Sequence, residues 1–264
     1  MGFDASLILA HPKADRIAAR VWAEIDRLEN VFSLYRSESS LTRLNALGTL
    51  DGPPFELLEC LSLAGAVHTA TGGAFDPTVQ PLWAEYAQAT TEGRAPDPAA
   101  VLDRVGWAGV TVDPGRVTLG RPGMALTLNG IAQGFVADRV AALLGAEGLT
   151  DVMIDTGELR ALGTDPRGGD WSVQVLHGPE VPLRDRALAT SAPLGTVFDE
   201  AGQIGHILDP RTGLPAAAGW KQISVTAPSA AVADACSTAF CLMDREAIEG
   251  ALDRLPNVRV VHAV

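Results

Sequence analysis

The sequence predicts an α+β fold, with mixed, largely antiparallel sheets and helices packed on them. Two observations predict it. Short strand-like runs outnumber the helix-like stretches, and hairpin connections between them mix with longer crossovers. With 264 residues the chain is long enough for one large domain or two small ones.

Taken in order, residues 5–10 (ASLILA) read as a strand. Residues 14–29 read as a helix, because Ile17, Val21, Ile25 and Leu28 recur on one face. A second helix spans 54–70 and stops at the Thr71-Gly72-Gly73 breaker. Residues 86–98 are polar and carry Pro and Gly, which predicts a surface loop with a short helix after Pro98. Strands at 110–113 and 116–119 flank Asp113-Pro114-Gly115. Residues 125–128 read as a strand entering Asn129-Gly130, followed by a helix over 131–145. Further strands are expected near 151–155, 158–162, 171–176, 187–191, 204–208 and 222–227. A helix near 229–243, with Ser229 as its N-cap, and a strand near 257–263 complete the chain.

Composition excludes several classes. Net charge is −12, a field that repels phosphate backbones, so nucleic acid is not an expected partner. The same field opposes an anionic dinucleotide unless a metal or local donors offset it. The apolar runs fall short of the roughly 18 residues of a membrane span, so no transmembrane segment is expected. The start, Met1-Gly2-Phe3-Asp4, lacks the basic and apolar regions of a leader, so no signal peptide is expected within this sequence. Cys60, Cys236 and Cys241 are odd in number and form no C-x-x-C, which predicts buried thiols rather than a disulfide framework or zinc site.

Four segments carry candidate chemistry. Residues 71–78 (TGGAFDPT) combine glycines that let a backbone approach a ligand with an extended Asp76; a helix cap and turn is the plainer reading. Residues 128–134 (LNGIAQG) place glycines four apart at a strand-to-helix junction. That suits a pyrophosphate at a helix N-terminus, and close helix packing explains it equally. Residues 205–213 (GHILDPRTG) set His206 near a strand end before a tight turn, where it is either a titrating group or a structural one. Residues 233–238 (ADACST) put Asp234 and Thr238 on one helix face, with Ser237 beside them. Among small and apolar neighbours a lone carboxylate calls for a partner, and Asp with Thr suits a hard cation such as Mg²⁺. An early-helix Asp favoured by the helix dipole is the alternative.

In this order the four segments resemble the ApbE-type FAD:protein FMN transferases, and the likeness covers nearly the whole chain. It includes residues 32–45 (FSLYRSESSLTRLN), 73–78 (GAFDPT) and 206–213 (HILDPRTG). The resemblance implies one domain over 1–264, with two lobes flanking a flavin cleft. It implies FAD contacts at Met1, Tyr35, Ala74, Phe75, Asp76, Thr127, Gln133 and Leu208. It implies metal ligation by the Gly130 carbonyl, Asp234 and Thr238, with Ser237 adjacent, and His206 as general base. The implied reaction is Mg²⁺-dependent: a Thr or Ser hydroxyl of an acceptor protein attacks the FMN phosphorus of FAD, and AMP leaves. The same site would serve an FAD pyrophosphatase giving FMN and AMP, or a non-catalytic flavin-binding assembly factor.

Three stretches depart from the family pattern. DLGGIAKG reads TLNGIAQG at 127–134, GGD reads TGE at 156–158, and ATSGDY reads ATSAPL at 189–194. LNGIAQG together with GELRALG at 157–163 resembles the NosX-like branch. Members of that branch are commonly exported. The expected location is the periplasm if a signal was removed before Met1, and the cytoplasm if Met1 is the native start.

Overall fold

A computed structural model describes residues 11–217 and 219–264. The expected first strand, at 5–10, lies outside the described residues, as does Met1. The described elements begin with α1 (Ala14–Phe32), α2 (Ser40–Leu47), β1 (Thr49–Asp51), α3 (Phe55–Ala70) and α4 (Gln80–Glu92). Then come β2 (Val110–Asp113), β3 (Arg116–Leu119), α5 (Ala132–Ala146), β4 (Val152–Asp155) and β5 (Leu159–Leu162). The chain continues through β6 (Trp171–Gln174), β7 (Glu180–Leu183), β8 (Ala187–Ser191) and β9 (Ile223–Ala227). It closes with α6 (Ala230–Phe240), α7 (Arg245–Leu252) and β10 (Arg259–Ala263).

Among the described residues, every strand pairing is antiparallel. The largest sheet runs β10-β9-β8-β5-β4, beside a three-stranded sheet β1-β3-β2 and the hairpin β6-β7. All five residues of β9 are buried, as expected for a central strand covered on both faces. Helix α6 packs on β8 and β9, and α5 packs on α6. One continuous core takes Ile17 and Leu28 from α1, Leu61 from α3, Phe135 from α5, Val225 from β9 and Phe240 from α6. Cys60, Cys236 and Cys241 are buried free thiols in that core.

The α5–α6 crossing sets the position of the site. A Cβ on Gly134 would lie 2.2 Å from the Ala230 carbonyl oxygen and 2.6 Å from the Ala231 nitrogen. Only glycine lets these two backbones approach so closely. Asp138, one turn along α5, accepts hydrogen bonds from the Ser229 hydroxyl and the Ala230 and Ala231 amides. Those amides are unpaired donors at the start of α6, so the carboxylate satisfies them and fixes the helix end. Arg160 Nε of β5 lies 3.2 Å from Asp138 Oδ1 and ties the sheet to the same point.

Several expectations need correction. Residues 86–98 do not form a surface loop throughout: α4 runs from Gln80 to Glu92, burying Leu82, Tyr86 and Ala89 on one face, and ends at the left-handed Gly93. A short 3₁₀ turn does follow, at Pro98–Ala100. Residues 125–128 are not a strand. Their backbone is satisfied by the Asn45 side-chain amide, which exchanges two hydrogen bonds with Leu126, and by Pro77, whose carbonyl accepts from the Thr127 amide. Residues 204–208 make only isolated bridges, Val197 with Gly205 and Leu208 with Pro215. The last long helix stops at Phe240; Asp244 then caps a separate α7 by accepting from the Ala247 amide.

The crossing predicts a contrast between two glycines of α5. Gly134→Ala forces backbone against backbone and should cost about 3 kcal/mol in urea unfolding. Gly145→Ala meets nothing within 4 Å and should raise stability by about 0.5–1 kcal/mol. Equal effects would refute this reading of the crossing.

Candidate active site

A cavity of about 340 Å³ opens where residues 74–79, the 127–133 segment, the end of β8, residues 206–208 and α6 meet. Each wall has an identifiable cause. Gly72 and Gly73 have φ of +59° and +85°, which turns the chain sharply after α3. Asp76 then locks the turn. Its Oδ1 accepts from the Thr78 amide and hydroxyl at 2.8 and 2.6 Å, and its Oδ2 from the Trp107 amide at 3.0 Å. With both oxygens engaged inside the protein, Asp76 shapes the wall formed by Ala74 and Phe75. On the opposite rim, Phe198 stacks edge-on against Trp83 of α4 at 5.3 Å. The Tyr86 hydroxyl donates to the Gly213 carbonyl. These contacts hold the loops on either side of His206 against α4.

Asp234 lies at the bottom of the cleft, 3% exposed. Its Oδ2 accepts one hydrogen bond, from the Gly134 amide at 3.2 Å. Burial pushes its carboxyl from 3.8 up to about 7, against that single bond. Thr238, one turn on, lines the same cleft. An added Cβ on Gly130 would lie 3.1 Å from Thr238 Oγ1, so the Gly130 backbone rests against that hydroxyl. A second carboxylate, Glu158, also lines the cleft at 9% exposure. Burial and then repulsion from Asp234 push its carboxyl well above the ordinary range. No Lys or Arg is among the lining residues.

His206 enters from the loop side. Its Nδ1 lies 2.9 Å from the Thr196 carbonyl oxygen. A carbonyl only accepts, so the proton sits on Nδ1 and the lone pair on Nε2. Burial lowers the imidazole pKa below 6.5, opposed by the backbone carbonyls of Thr196 and Pro193. The ring is therefore neutral near pH 7 and able to accept a proton.

The cleft thus brings together Ala74, Phe75, Asp76, Thr127, Gly130, Gln133, His206, Leu208, Asp234 and Thr238. Two expected residues stand apart. Tyr35 is 75% exposed and is not part of the lining. Ser237 is fully buried and faces the sheet: its hydroxyl lies 3.0 Å from the Asp234 carbonyl oxygen and 2.7 Å from Ser191 Oγ. Sequence reasoning noted Glu158 only as a departure from the family pattern and did not identify Asp138. The Gly157-Glu158 turn after a strand was the available signal for the first; nothing local marked the second.

These residues align with known proteins along nearly their whole length. The ApbE family model matches residues 1–262. The chain belongs to the ApbE family. A Treponema pallidum protein named FAD:protein FMN transferase is 32% identical over 282 residues, covering 94% of this chain and 77% of its own. The apo flavinyl transferase ApbE of Pseudomonas stutzeri superposes with a TM-score of 0.81 at 27% identity, covering 92% of this chain and 81% of its own. The ApbE protein of Thermotoga maritima gives 0.82 at 26% identity, covering 98% and 89%.

The donor set suits a hard divalent cation. The Asp234 carboxylate, the Thr238 hydroxyl and the Gly130 carbonyl would offer oxygen donors, the kind Mg²⁺ takes in small number. Among the described residues no group of three or more His, Cys, Asp or Glu is arranged for a metal.

The sign of the Asp234 shift gives a test. A carboxyl raised in the folded state binds its proton more tightly there than in the unfolded chain. The metal-free protein should therefore lose stability as pH rises from about 4 to about 7. Melting temperatures in a chelator should show this loss, and Asp234→Asn should reduce it, leaving the part that comes from the raised Glu158 carboxyl. An unchanged slope in Asp234→Asn would contradict the assignment.

Proposed function

We propose that this ApbE-family protein transfers FMN from FAD onto a Thr or Ser hydroxyl of an acceptor protein, releasing AMP. Mg²⁺ is the metal, with Asp234, Thr238 and the Gly130 carbonyl as its ligands. The observation that carries the reading is the convergence on one cleft of a neutral His206 with its Nε2 lone pair and the buried Asp234 carboxylate without a cationic neighbour. The Treponema relative, an FAD:protein FMN transferase by name, supports transfer of FMN from FAD to a protein.

The chemistry is a phosphoryl transfer, which needs positioning and charge neutralisation more than covalent help from the protein. When bound, the divalent ion neutralises pyrophosphate oxygens and so offsets the acidic surroundings. The chain's own groups do the rest. The 74–79 turn and Leu208 wall the cleft, and exclusion of bulk water strengthens every polar contact inside it. His206 Nε2 takes the proton of the acceptor hydroxyl. That oxygen forms the new bond to the FMN phosphorus, the anhydride bond breaks, and AMP leaves with the bridging oxygen. Where the family pattern has Asp and Lys, this chain has Thr127 and Gln133, so the cleft carries neither that negative nor that positive side chain.

Incubation with FAD, Mg²⁺ and a flavinylation-site acceptor domain should add the mass of one FMN to the acceptor. Asp234→Ala should abolish the adduct, and His206→Ala should slow it by about 10²–10⁴-fold. The rate should fall as pH drops through the His206 pKa, placing the acidic limb below 6.5. Steady release of FMN and AMP at the same rate without acceptor would instead assign the protein as an FAD pyrophosphatase. No adduct and no FAD turnover would refute both.

A further inference from the structure

Glu158 occupies a position that the proposed reaction does not use. It ends the turn between β4 and β5, and several contacts build that turn. Gly157 has φ of +92°, and its amide donates to Asp155 Oδ1 at 3.0 Å. The Thr156 amide donates to the Glu158 carbonyl at 3.2 Å, and the Thr156 hydroxyl to the Gln133 carbonyl at 3.3 Å. Gln133 Nε2 covers Gly157 so closely that a Cβ there would lie 2.9 Å away. The turn is thereby docked on the start of α5, and the Glu158 side chain lines the cleft that Asp234 lines.

Among the described residues that line the cleft, no cation balances this second carboxylate. No Lys or Arg lines the cleft, and the favourable contact on Glu158 is a hydrogen bond from the Thr190 backbone. Two carboxylates buried on one cavity repel each other, and a buried charge is stable only when paired or metal-bound.

We propose that Glu158 is a second carboxylate of the cation centre, acting on the divalent ion with Asp234, directly or through one bound water. This rests on the reading of Asp234, Thr238 and Gly130 as the cation site. In the family pattern the position carries Asp; the longer Glu158 here reaches further from its turn. Outer ligands of this kind tune affinity by holding charge near the ion.

Mn²⁺ binding to the FAD-free full chain, read by electron paramagnetic resonance, tests the proposal. E158Q should weaken Mn²⁺ binding by about 10- to 100-fold, and E158D should retain more affinity than E158Q. The metal-free melting temperature of E158Q should equal or exceed that of the unaltered chain, because the substitution removes a like-charge contact. Unchanged Mn²⁺ affinity in E158Q, with D234N losing it, would overturn the role of Glu158 alone. Unchanged affinity in D234N would overturn the cation site itself. A lowered metal-free melting temperature in E158Q would show that the side chain holds the turn, and would also overturn the proposal.

Discussion

A carboxylate taken out of water must find a cation, hydrogen-bond donors or a proton. Asp234 is buried with one backbone donor, the Gly134 amide, and among the described residues no cationic side chain lines the cleft around it. Much of the surrounding architecture sets that carboxylate in place. Gly134 admits the close crossing of α5 and α6, Asp138 satisfies the first amides of α6, and Arg160 links Asp138 to the sheet. The result is a helix whose second turn faces the cleft floor. Side-chain packing alone would have favoured an apolar residue there.

The electrostatics of the whole chain point the same way. A net charge of −12 and two buried carboxylates make an anionic dinucleotide an unfavourable guest. Thr127 and Gln133 replace one Asp and one Lys of the family pattern, so these two departures leave the formal charge of the cleft unchanged. Under the proposed function a divalent ion would supply the remaining balance, while His206 stays neutral because burial disfavours its charged form. The proposed function would thus divide acid–base function and charge neutralisation between two walls of one cavity. The loops that carry His206 are anchored by Phe198 on Trp83 and by Tyr86 on Gly213.

Much of this was legible in the sequence wherever a local signal had a physical cause. The apolar period of α1, the Ser229 cap of α6 and the hairpin at Asp113-Pro114-Gly115 each appear as expected. The glycines at 130 and 134 allowed a phosphate cradle or close packing. Gly134 serves packing, and its amide also bonds Asp234. What escaped depended on distant partners. The 125–128 segment looks like a strand by composition, yet Asn45 takes its hydrogen bonds from 81 residues away. Helix α4 hid behind polar residues because its buried face is narrow. Asp76 lines the cleft as expected, and the bonds of its carboxylate to Thr78 and Trp107, the latter 31 residues away, were not legible locally. The carboxylate pair was invisible locally, since 76 residues separate Glu158 from Asp234 and only the fold brings them to one cavity.

The central claim is that this cleft accepts FAD through a divalent cation held at Asp234. Isothermal titration of FAD into the full chain, once with Mg²⁺ and once with excess chelator, tests it most directly. The account predicts that removing Mg²⁺ weakens FAD binding at least tenfold, about 1.4 kcal/mol, and that D234N shows the weak affinity under both conditions. Equal FAD affinity with and without Mg²⁺ in the unaltered chain would contradict it.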